Sequence, residues 1–292
     1  KLYALPDTYD WRLQDGIVSD IRDQSVYGTC WTFGSLASYE SSWARQTNNK
    51  VDFSERYLAW LNYADAEKGG NPIFYDSSSY EEDSSLEEEL GYAKEEYPSI
   101  KFTPEIFRIY DQGGFNIFAL NTMLRHGVVL EEQAPYFDFD GNSEMGSVES
   151  ILPPAGALHD LLILPIGDEA DTKHDPENDL DDSRNIVLTK RLIQDNGVIF
   201  VTSATEEMEA ENKEGYNPSD ASANHATSLV GWDDSYEFET YFDENGNSLQ
   251  GAWILRNSWG EDAGDGGYYY MAYKDATLSD PSFFVAETDS AR

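Results

Sequence analysis

Cysteine is almost absent from this chain of 292 residues, which contains a single one, at position 30. A lone cysteine excludes internal disulfides, so packing alone must hold the fold together. Basic residues are also scarce: 19 Lys and Arg stand against 56 Asp and Glu, giving a formal net charge of −37. Such a surface repels nucleic acids and anionic membranes, which excludes both as main partners. The sequence has no run of about 18 apolar residues, so membrane insertion is not expected.

Aromatic residues, in contrast, make up 14% of the chain and supply material for a sizeable core. The acidic residues are concentrated in runs such as "SSSYEEDSSLEEEL" (77–90) and "GDEADTKHDPENDLDD" (167–182). Two explanations stay open for them: acidic surface insertions on an ordinary scaffold, or the coat of a protein from a high-salt habitat. The first residues, "KLYALPDTYDW", do not read as a signal peptide, which predicts a cytosolic protein or a mature form already trimmed.

The first half of the sequence has the periodicity of helices. Apolar residues at helical spacing predict a helix over 31–46. A shorter helix is predicted near 53–63 with Ser54 as its cap, and a third over 115–127 with Gly127 as its end. The first half is therefore expected to be mainly helical.

Strand patterns dominate beyond residue 185, after a short predicted helix over 185–195. They cover 197–204, 225–234, 252–260, 266–273 and 282–287. A helical half followed by a β-rich half indicates an α+β protein.

Three separated stretches carry residue types suited to nucleophilic catalysis: "DQSVYGTCW" (23–31), "SANHATSLVGW" (222–232) and "ILRNSWG" (254–260). Cys30 stands at the predicted start of a helix, whose positive end lowers the pKa of a thiol. Only four histidines are present, and the other three, His126, His159 and His174, lack a partner motif and are interpreted as structural.

The order and spacing of these stretches resemble those of the papain-like cysteine proteases. That family has a Gln, a Cys-Trp pair six residues later, a distant His, and an Asn-Ser-Trp-Gly run, as Gln24, Cys30, His225 and 257–260 are arranged here. The opening "LPDTYDWRLQDGIVSDIRDQ" and the segment "PYF" (135–137) also fit the family's order. The acidic insertions are expected of a bacterial or archaeal type of this enzyme.

The resemblance implies a papain-like two-lobed α+β fold, with a helical left lobe, a β-barrel-like right lobe and the active-site cleft between them. The whole chain, 1–292, is expected to form one peptidase domain. Its helical lobe would span 12–135 with an insertion at about 65–110. Its β-rich lobe would span 136–292, with an insertion at about 140–185, and would include the N-terminal strand.

The resemblance also implies the catalytic roles. Cys30 would be the nucleophile, and His225 would accept its proton and pass it to the leaving amine. Asn257 would orient the imidazole through its other nitrogen. The Gln24 amide and the Cys30 backbone N–H would bind the oxyanion.

The resemblance implies roles at or near the substrate for seven further residues. Gly113 and Gly114 would pair with the substrate backbone, whereas Trp259 would shield the bond between His225 and Asn257. The remaining candidates are implied to lie near the substrate side chains: Phe115, Asn116, Ala223 and Asn224.

The sequence departs from the family pattern at three positions near the site. Tyr27 replaces a Cys that members usually bridge, which removes a covalent staple and not the chemistry. Thr29 replaces a smaller Ser, and Asn224 stands where better-known members often have Asp. The last change is expected to alter the pH profile.

The implied function is that of a cysteine endopeptidase, acting on polypeptides as a secreted or cell-surface monomer, with a propeptide or protein inhibitor as partner. Two alternatives stay open: a cysteine acyl-transferase of the transpeptidase or transglutaminase kind, and a non-catalytic adhesion or binding module on the same scaffold.

No cofactor is expected, with one alternative. Asp138, Asp140, Asn142 and Glu149 occupy positions 1, 3, 5 and 12 of a calcium loop, but Ser143 stands where that loop needs Gly. A solvated acidic turn is the favoured interpretation.

Overall fold

A computed structural model describes residues 4–63, 109–136, 151–164, 179–204, 211–218 and 222–288. The predicted calcium-loop residues lie outside this part of the chain. So does nearly all of the insertion predicted at 65–110, and part of the one predicted at 140–185.

Four α-helices occur in the described residues: α1 (Cys30–Thr47), α2 (Glu55–Tyr63), α3 (Asn116–His126) and α4 (Asp179–Asn196). The first three confirm the predicted helices to within one or two residues. Oγ of Ser54 accepts a hydrogen bond from the Tyr57 N–H at 3.0 Å and so caps α2 as predicted. Gly127 ends α3 with φ of 70°, a backbone conformation that favours glycine.

Within the described ranges, eight strands form one sheet. They are β1 (Thr8–Asp10), β2 (Ala157–Ile163), β3 (Ile199–Ser203), β4 (Glu214–Gly215), β5 (His225–Phe242), β6 (Ser248–Arg256), β7 (Tyr268–Ala272) and β8 (Ser279–Glu287). The order in the sheet is β2-β8-β3-β5-β6-β7-β4, with β1 paired to β5 outside this path. Helices together with one large mixed sheet confirm the predicted α+β class, and β5 and β6 form an antiparallel hairpin.

Two elements differ from the sequence-based description. The short helix predicted at 185–195 begins earlier, at Asp179. The prediction missed its first residues because their Asp-rich composition is typical of a loop. Strand β2 was not predicted, since most of its residues are exposed and follow no alternation of apolar and polar positions. β2 belongs to the sheet because it pairs with β8. Just after β2, the Leu164 N–H donates a further hydrogen bond to the Pro281 carbonyl of β8 at 3.0 Å.

The described residues divide into two compact units. The sheet unit comprises Lys1–Asp23, Phe33–Val51 and His159–Arg292, and the helical unit comprises Gln24–Thr32 and Asp52–Leu158. The lobe boundaries predicted from the sequence, 12–135 and 136–292, stay a prediction.

Three serines explain how the polar stretch "SLASYESS" of α1 fits inside the sheet unit. Ser38 and Ser42 accept hydrogen bonds from the N–H groups of Phe284 and Ala286 on β8, at 3.1 and 2.9 Å. Ser41 accepts one from the Val198 N–H at 3.0 Å. Because buried backbone donors need partners, these hydroxyls fix α1 against β8 and the start of β3.

Candidate active site

His225 and Asn257 meet within the sheet unit. His225 opens β5, and Asn257 follows directly after β6, which runs antiparallel to β5 in the register Ser228 to Arg256. An antiparallel pair brings the start of one strand beside the end of the next, so two residues 32 positions apart become neighbours. Nε2 of His225 lies 2.7 Å from Oδ1 of Asn257.

The hydrogen bonds of Asn257 determine which imidazole nitrogen is basic. Oδ1 of Asn257 also accepts a hydrogen bond from the backbone N–H of Ser258 at 2.8 Å. A backbone N–H can only donate, so the Asn257 atom beside it is the oxygen, and the same oxygen faces His225. Nε2 of the neutral imidazole must therefore carry the proton, which leaves the lone pair on Nδ1.

The surroundings of His225 favour its neutral form. The side chain is 6% exposed, and the Trp259 ring lies against it with 4.8 Å between ring centroids. Burial lowers the pKa of His225 to about 4, although the hydrogen bond with Asn257 opposes this lowering. A neutral imidazole can accept a proton at Nδ1.

Cys30 and Gln24 lie in the helical unit, at the two ends of one short loop. Cys30 is the first residue of α1 and is buried, with 8% exposure. Helix N-termini favour negative charge, so this position stabilises a thiolate relative to a thiol. Gln24 is buried as well, and its Nε2 donates to the Tyr27 carbonyl at 2.8 Å. An amide nitrogen has two protons, and this hydrogen bond uses one of them.

The predicted substrate residues of the helical unit form one continuous segment before and at the start of α3. The Tyr63 hydroxyl donates to the Gly113 carbonyl at 2.7 Å, which holds the segment in place. A Cβ at Gly114 would come within 2.6 Å of the Trp31 ring, so only glycine fits there. Phe115 is 55% exposed and Asn116 is half-buried at the first position of α3.

The remaining predicted residues belong to the sheet unit. Ala223 and Asn224 are exposed and directly precede His225. The Asn224 N–H donates to the Ser203 carbonyl at 3.1 Å, which extends the pairing of β3 and β5 beyond the strand end.

The structure thus brings together His225, Asn257 and Trp259 in one unit, and Gln24, Cys30 and 113–116 in the other. Sequence reasoning did not identify Tyr63 or Tyr136 as residues that support the site. The only signal for Tyr136 was its position in "PYF", and Tyr63 ended a helix pattern without further mark.

One group of acidic side chains in the described residues is close enough to share a cation: carboxylate oxygens of Asp52, Glu55 and Glu131 lie within 4.8 Å of one another. Acidic groups of this kind are common without a metal, and the expectation that no cofactor is needed stays a prediction. No described helix is both long and apolar enough to cross a bilayer.

A family model described as "Papain family cysteine protease" matches residues 5–90 and 111–280. The chain belongs to the papain family of cysteine proteases. The match skips 91–110, which falls inside the insertion predicted from the sequence, and it includes each residue of the predicted catalytic set.

Papain-family relatives match along most of the chain at low identity. A viral cathepsin of Cydia pomonella granulosis virus is 24% identical over 274 residues, which cover 91% of this chain and 57% of the relative. Fruit bromelain of Ananas comosus is 23% identical, with 93% and 56% covered. The chain therefore spans just over half the length of these relatives.

A higher identity is confined to a short segment. The oryzain gamma chain of Oryza sativa subsp. japonica is 47% identical over 55 residues, 19% of this chain and 15% of the relative. The named relatives come from plants and a virus, and they give no support to a bacterial or archaeal type.

Solved structures of the family share the fold. Procathepsin L 3 from the larval midgut of Tenebrio molitor superposes with a TM-score of 0.55 at 22% identity, covering 97% of this chain and 71% of that one. A structure from work on the mite allergens Blo t 1 and Der p 1 gives a TM-score of 0.58 at 20% identity, with 97% and 72% covered. At these identities the likeness concerns the fold alone.

Proposed function

We propose that this protein is a cysteine endopeptidase that hydrolyses peptide bonds through an acyl-thioester. Membership of the papain family supports the reaction class. The observation that carries the proposal is the buried pair of His225 and Asn257, at 2.7 Å, with the tautomer fixed so that Nδ1 is the basic nitrogen. A structural histidine would not need an acceptor that is itself oriented by a neighbouring backbone N–H.

In the proposed first step the Cys30 thiol transfers its proton to Nδ1 of His225. The thiolate is the nucleophile, and an unperturbed thiol with a pKa of about 8.5 is mostly protonated at neutral pH. The N-terminus of α1 stabilises the thiolate. The thiolate charge in turn stabilises the imidazolium, and so offsets the burial that otherwise keeps His225 neutral.

Acylation then forms one bond and breaks another. The Cys30 sulfur attacks the carbonyl carbon of the scissile peptide, and the carbonyl oxygen becomes an oxyanion. The second amide proton of Gln24 and the Cys30 N–H would bind that oxygen, and the loss of one such donor costs about 10²–10³ in kcat. The imidazolium gives its proton to the leaving nitrogen, the C–N bond breaks, and the amine departs from an acyl-thioester.

Deacylation reverses these roles with water. His225 removes a proton from water as the oxygen attacks the thioester carbon, and the C–S bond breaks. The imidazolium returns that proton to the departing sulfur, which restores the Cys30 thiol and the neutral imidazole, and the carboxylic acid product leaves. Trp259, packed at a tilt against His225, would limit access of bulk water to the hydrogen bond with Asn257.

The proposal extends to substrate, partners and location. The glycine segment 113–114 would pair with the backbone of an extended polypeptide, beside the exposed Phe115. A matched structure is a procathepsin, which supports a propeptide as partner. Family resemblance supports export of the protein, and we propose that it acts as a monomer.

The test is hydrolysis of a fluorogenic peptide by the wild type and by Cys30→Ala, with iodoacetamide labelling of Cys30 as a second way to remove the nucleophile. Both should abolish cleavage. His225→Ala should do the same, whereas His159→Ala, an exposed histidine, serves as its matched control and should retain activity. Undiminished cleavage by Cys30→Ala would disprove the proposal. Products formed only with an added amine, with no hydrolysis in its absence, would assign the chain to acyl transfer.

A further inference from the structure

The residues from Gln24 to Cys30 form a loop, here called the oxyanion loop, which carries both proposed oxyanion donors. Two of its internal hydrogen bonds converge on one carbonyl, and a third runs from the Tyr27 N–H to the Gln24 carbonyl at 3.4 Å. The Tyr27 oxygen accepts from the Thr29 N–H and from Nε2 of Gln24, each at 2.8 Å. The orientation of the Gln24 amide therefore depends on the conformation of the loop itself.

The oxyanion loop also contains a strained residue. Ser25 has φ of 55°, in the left-handed region that residues with a Cβ seldom adopt. Such a conformation persists only where surrounding structure holds it. The internal bond to the Gln24 carbonyl is long, at 3.4 Å, so contacts from outside the loop add to the support of the Gln24 end.

Tyr136 supplies two such bonds from a single atom. Its hydroxyl donates to the Gln24 carbonyl at 2.9 Å and lies 2.6 Å from the Thr29 hydroxyl. A phenol has one proton, and that proton is used toward Gln24, so the Thr29 hydroxyl is the donor in the shorter contact. One oxygen thus connects the first residue of the oxyanion loop with the residue directly before Cys30.

The surroundings make this bridge rigid. Tyr136 is 5% exposed, and its ring packs edge-on against Tyr27 with 6.4 Å between centroids. Burial raises the pKa of Tyr136 well above its usual value, so the hydroxyl keeps its proton. The Asp111 carboxylate accepts the Gly28 N–H at 2.8 Å and provides a separate link to the middle of the loop. These contacts lie where Tyr27 has replaced the cysteine usual in the family.

We propose that Tyr136, through its hydroxyl bonds to Gln24 and Thr29, is the positioning residue that holds the oxyanion loop in the geometry that binds the transition state. The inference rests on the proposed peptidase function. Tyr136 touches no reacting atom, so removal of its hydroxyl should lower kcat by loosening the oxyanion donors and should change KM little.

The test uses the full chain with two variants of the bridge and one control. Tyr136→Phe removes the phenol oxygen, and Thr29→Val removes the other hydroxyl while keeping the shape of the side chain. Thr29→Ser keeps the hydroxyl and is the matched control. Two rates are measured for each: hydrolysis of a fluorogenic peptide amide, and alkylation of Cys30 by iodoacetamide. Alkylation forms the S–C bond and releases iodide without creating an oxyanion.

We expect kcat to fall about tenfold in Tyr136→Phe and Thr29→Val, with KM and the alkylation rate close to wild type and with Thr29→Ser active. Unchanged kcat in both variants would overturn the positioning role. So would alkylation that falls in parallel with hydrolysis, since the thiol itself would then be affected. If Tyr136→Phe does not fold, the comparison of Thr29→Val with Thr29→Ser still tests the hydrogen bond between Thr29 and Tyr136. A wild type without Cys30-dependent hydrolysis would instead overturn the proposed function.

Discussion

A single oxygen, Oδ1 of Asn257, accepts the Ser258 backbone N–H at 2.8 Å and lies 2.7 Å from Nε2 of His225. The Ser258 N–H can only donate, so the first bond fixes which atom of the Asn257 amide is the oxygen. The second bond then requires Nε2 of His225 to carry the proton of the neutral imidazole. The chain therefore determines the tautomer of His225 locally, within the sheet unit.

This relationship predicts that the oxygen of Asn257 matters more than its amide nitrogen. Asn257→Ala should lower kcat roughly 10- to 100-fold, because a hydrogen bond to a group that becomes charged is worth about 1.5–3 kcal/mol. Asn257→Asp keeps the acceptor oxygen and should retain most of the activity. Peptide hydrolysis by the two variants checks this. Equal losses in both would show that the oxygen does not orient His225.

The lowered pKa of His225 predicts a stability that depends on pH. The pKa is about 4 in the folded chain, below the usual 6.5, so the unfolded chain binds a proton first as the pH falls. The contribution of His225 to the free energy of unfolding is therefore complete above about pH 6.5 and is lost down to about pH 4, by up to about 3 kcal/mol.

This pH effect is measured by chemical unfolding at pH 7 and pH 4.5 in a Cys30→Ala background, where no thiolate charge acts on the imidazole. His225→Gln, which cannot titrate, is the control for all other acid-sensitive groups. The variant should lose less stability between the two pH values than its parent. An equal loss would contradict a neutral, buried His225.

Sequence patterns predicted the elements whose formation depends on local signals. Ser54 caps the start of α2 and Gly127 ends α3, so a residue next to each helix marks one of its boundaries. β2 has no such signal, because Leu158 is its only buried residue. Whether these residues form a strand depends on their pairing with the distant β8. A strand that is defined by pairing alone cannot be found from its own residues.

The same distinction applies to the site. His225 and Asn257 were predicted because they stand in short recognisable segments, although their contact depends on the register of β5 and β6. Tyr136 could not be assigned its role, since a tyrosine 107 positions from Thr29 carries no spacing signal. Its role depends on its burial and on the position of its hydroxyl between Gln24 and Thr29, and only the fold determines both.

Gly231 is predicted to be essential for the pairing of β1 with β5. A Cβ at this position would lie 2.2 Å from the Tyr9 carbonyl oxygen, and the contact is between backbones that pair in register. Gly231→Ala should therefore destabilise the fold by about 1–3 kcal/mol or more, as overpacking does.

Gly246 in the β5–β6 turn is the matched control for Gly231. It has φ of 80° and open space around it, so Gly246→Ala should cost about 1–2 kcal/mol of backbone strain and leave β1 in place. Urea unfolding of both variants, with limited proteolysis of the N-terminal segment, separates the two effects. Cleavage near β1 that is no faster in Gly231→Ala than in Gly246→Ala would refute the close approach.

The two glycines proposed to pair with substrate offer a final comparison, because they differ in what surrounds them. A Cβ at Gly114 would meet the Trp31 ring at 2.6 Å, and Trp31 is fully buried and packed edge-on against Tyr63 and Phe118. The ring cannot yield, so Gly114→Ala should displace the segment, raise KM for peptides more than tenfold and lower stability.

Gly113 has open space but φ of 66°, so Gly113→Ala introduces strain of about 1–2 kcal/mol without a clash. Its carbonyl also stays bonded to the Tyr63 hydroxyl, which keeps the segment near its native course. KM should then rise less in Gly113→Ala than in Gly114→Ala, while Cys30 alkylation stays unchanged in both. If Gly113→Ala had the larger effect on KM, backbone conformation and not contact with Trp31 would control how the segment binds peptides.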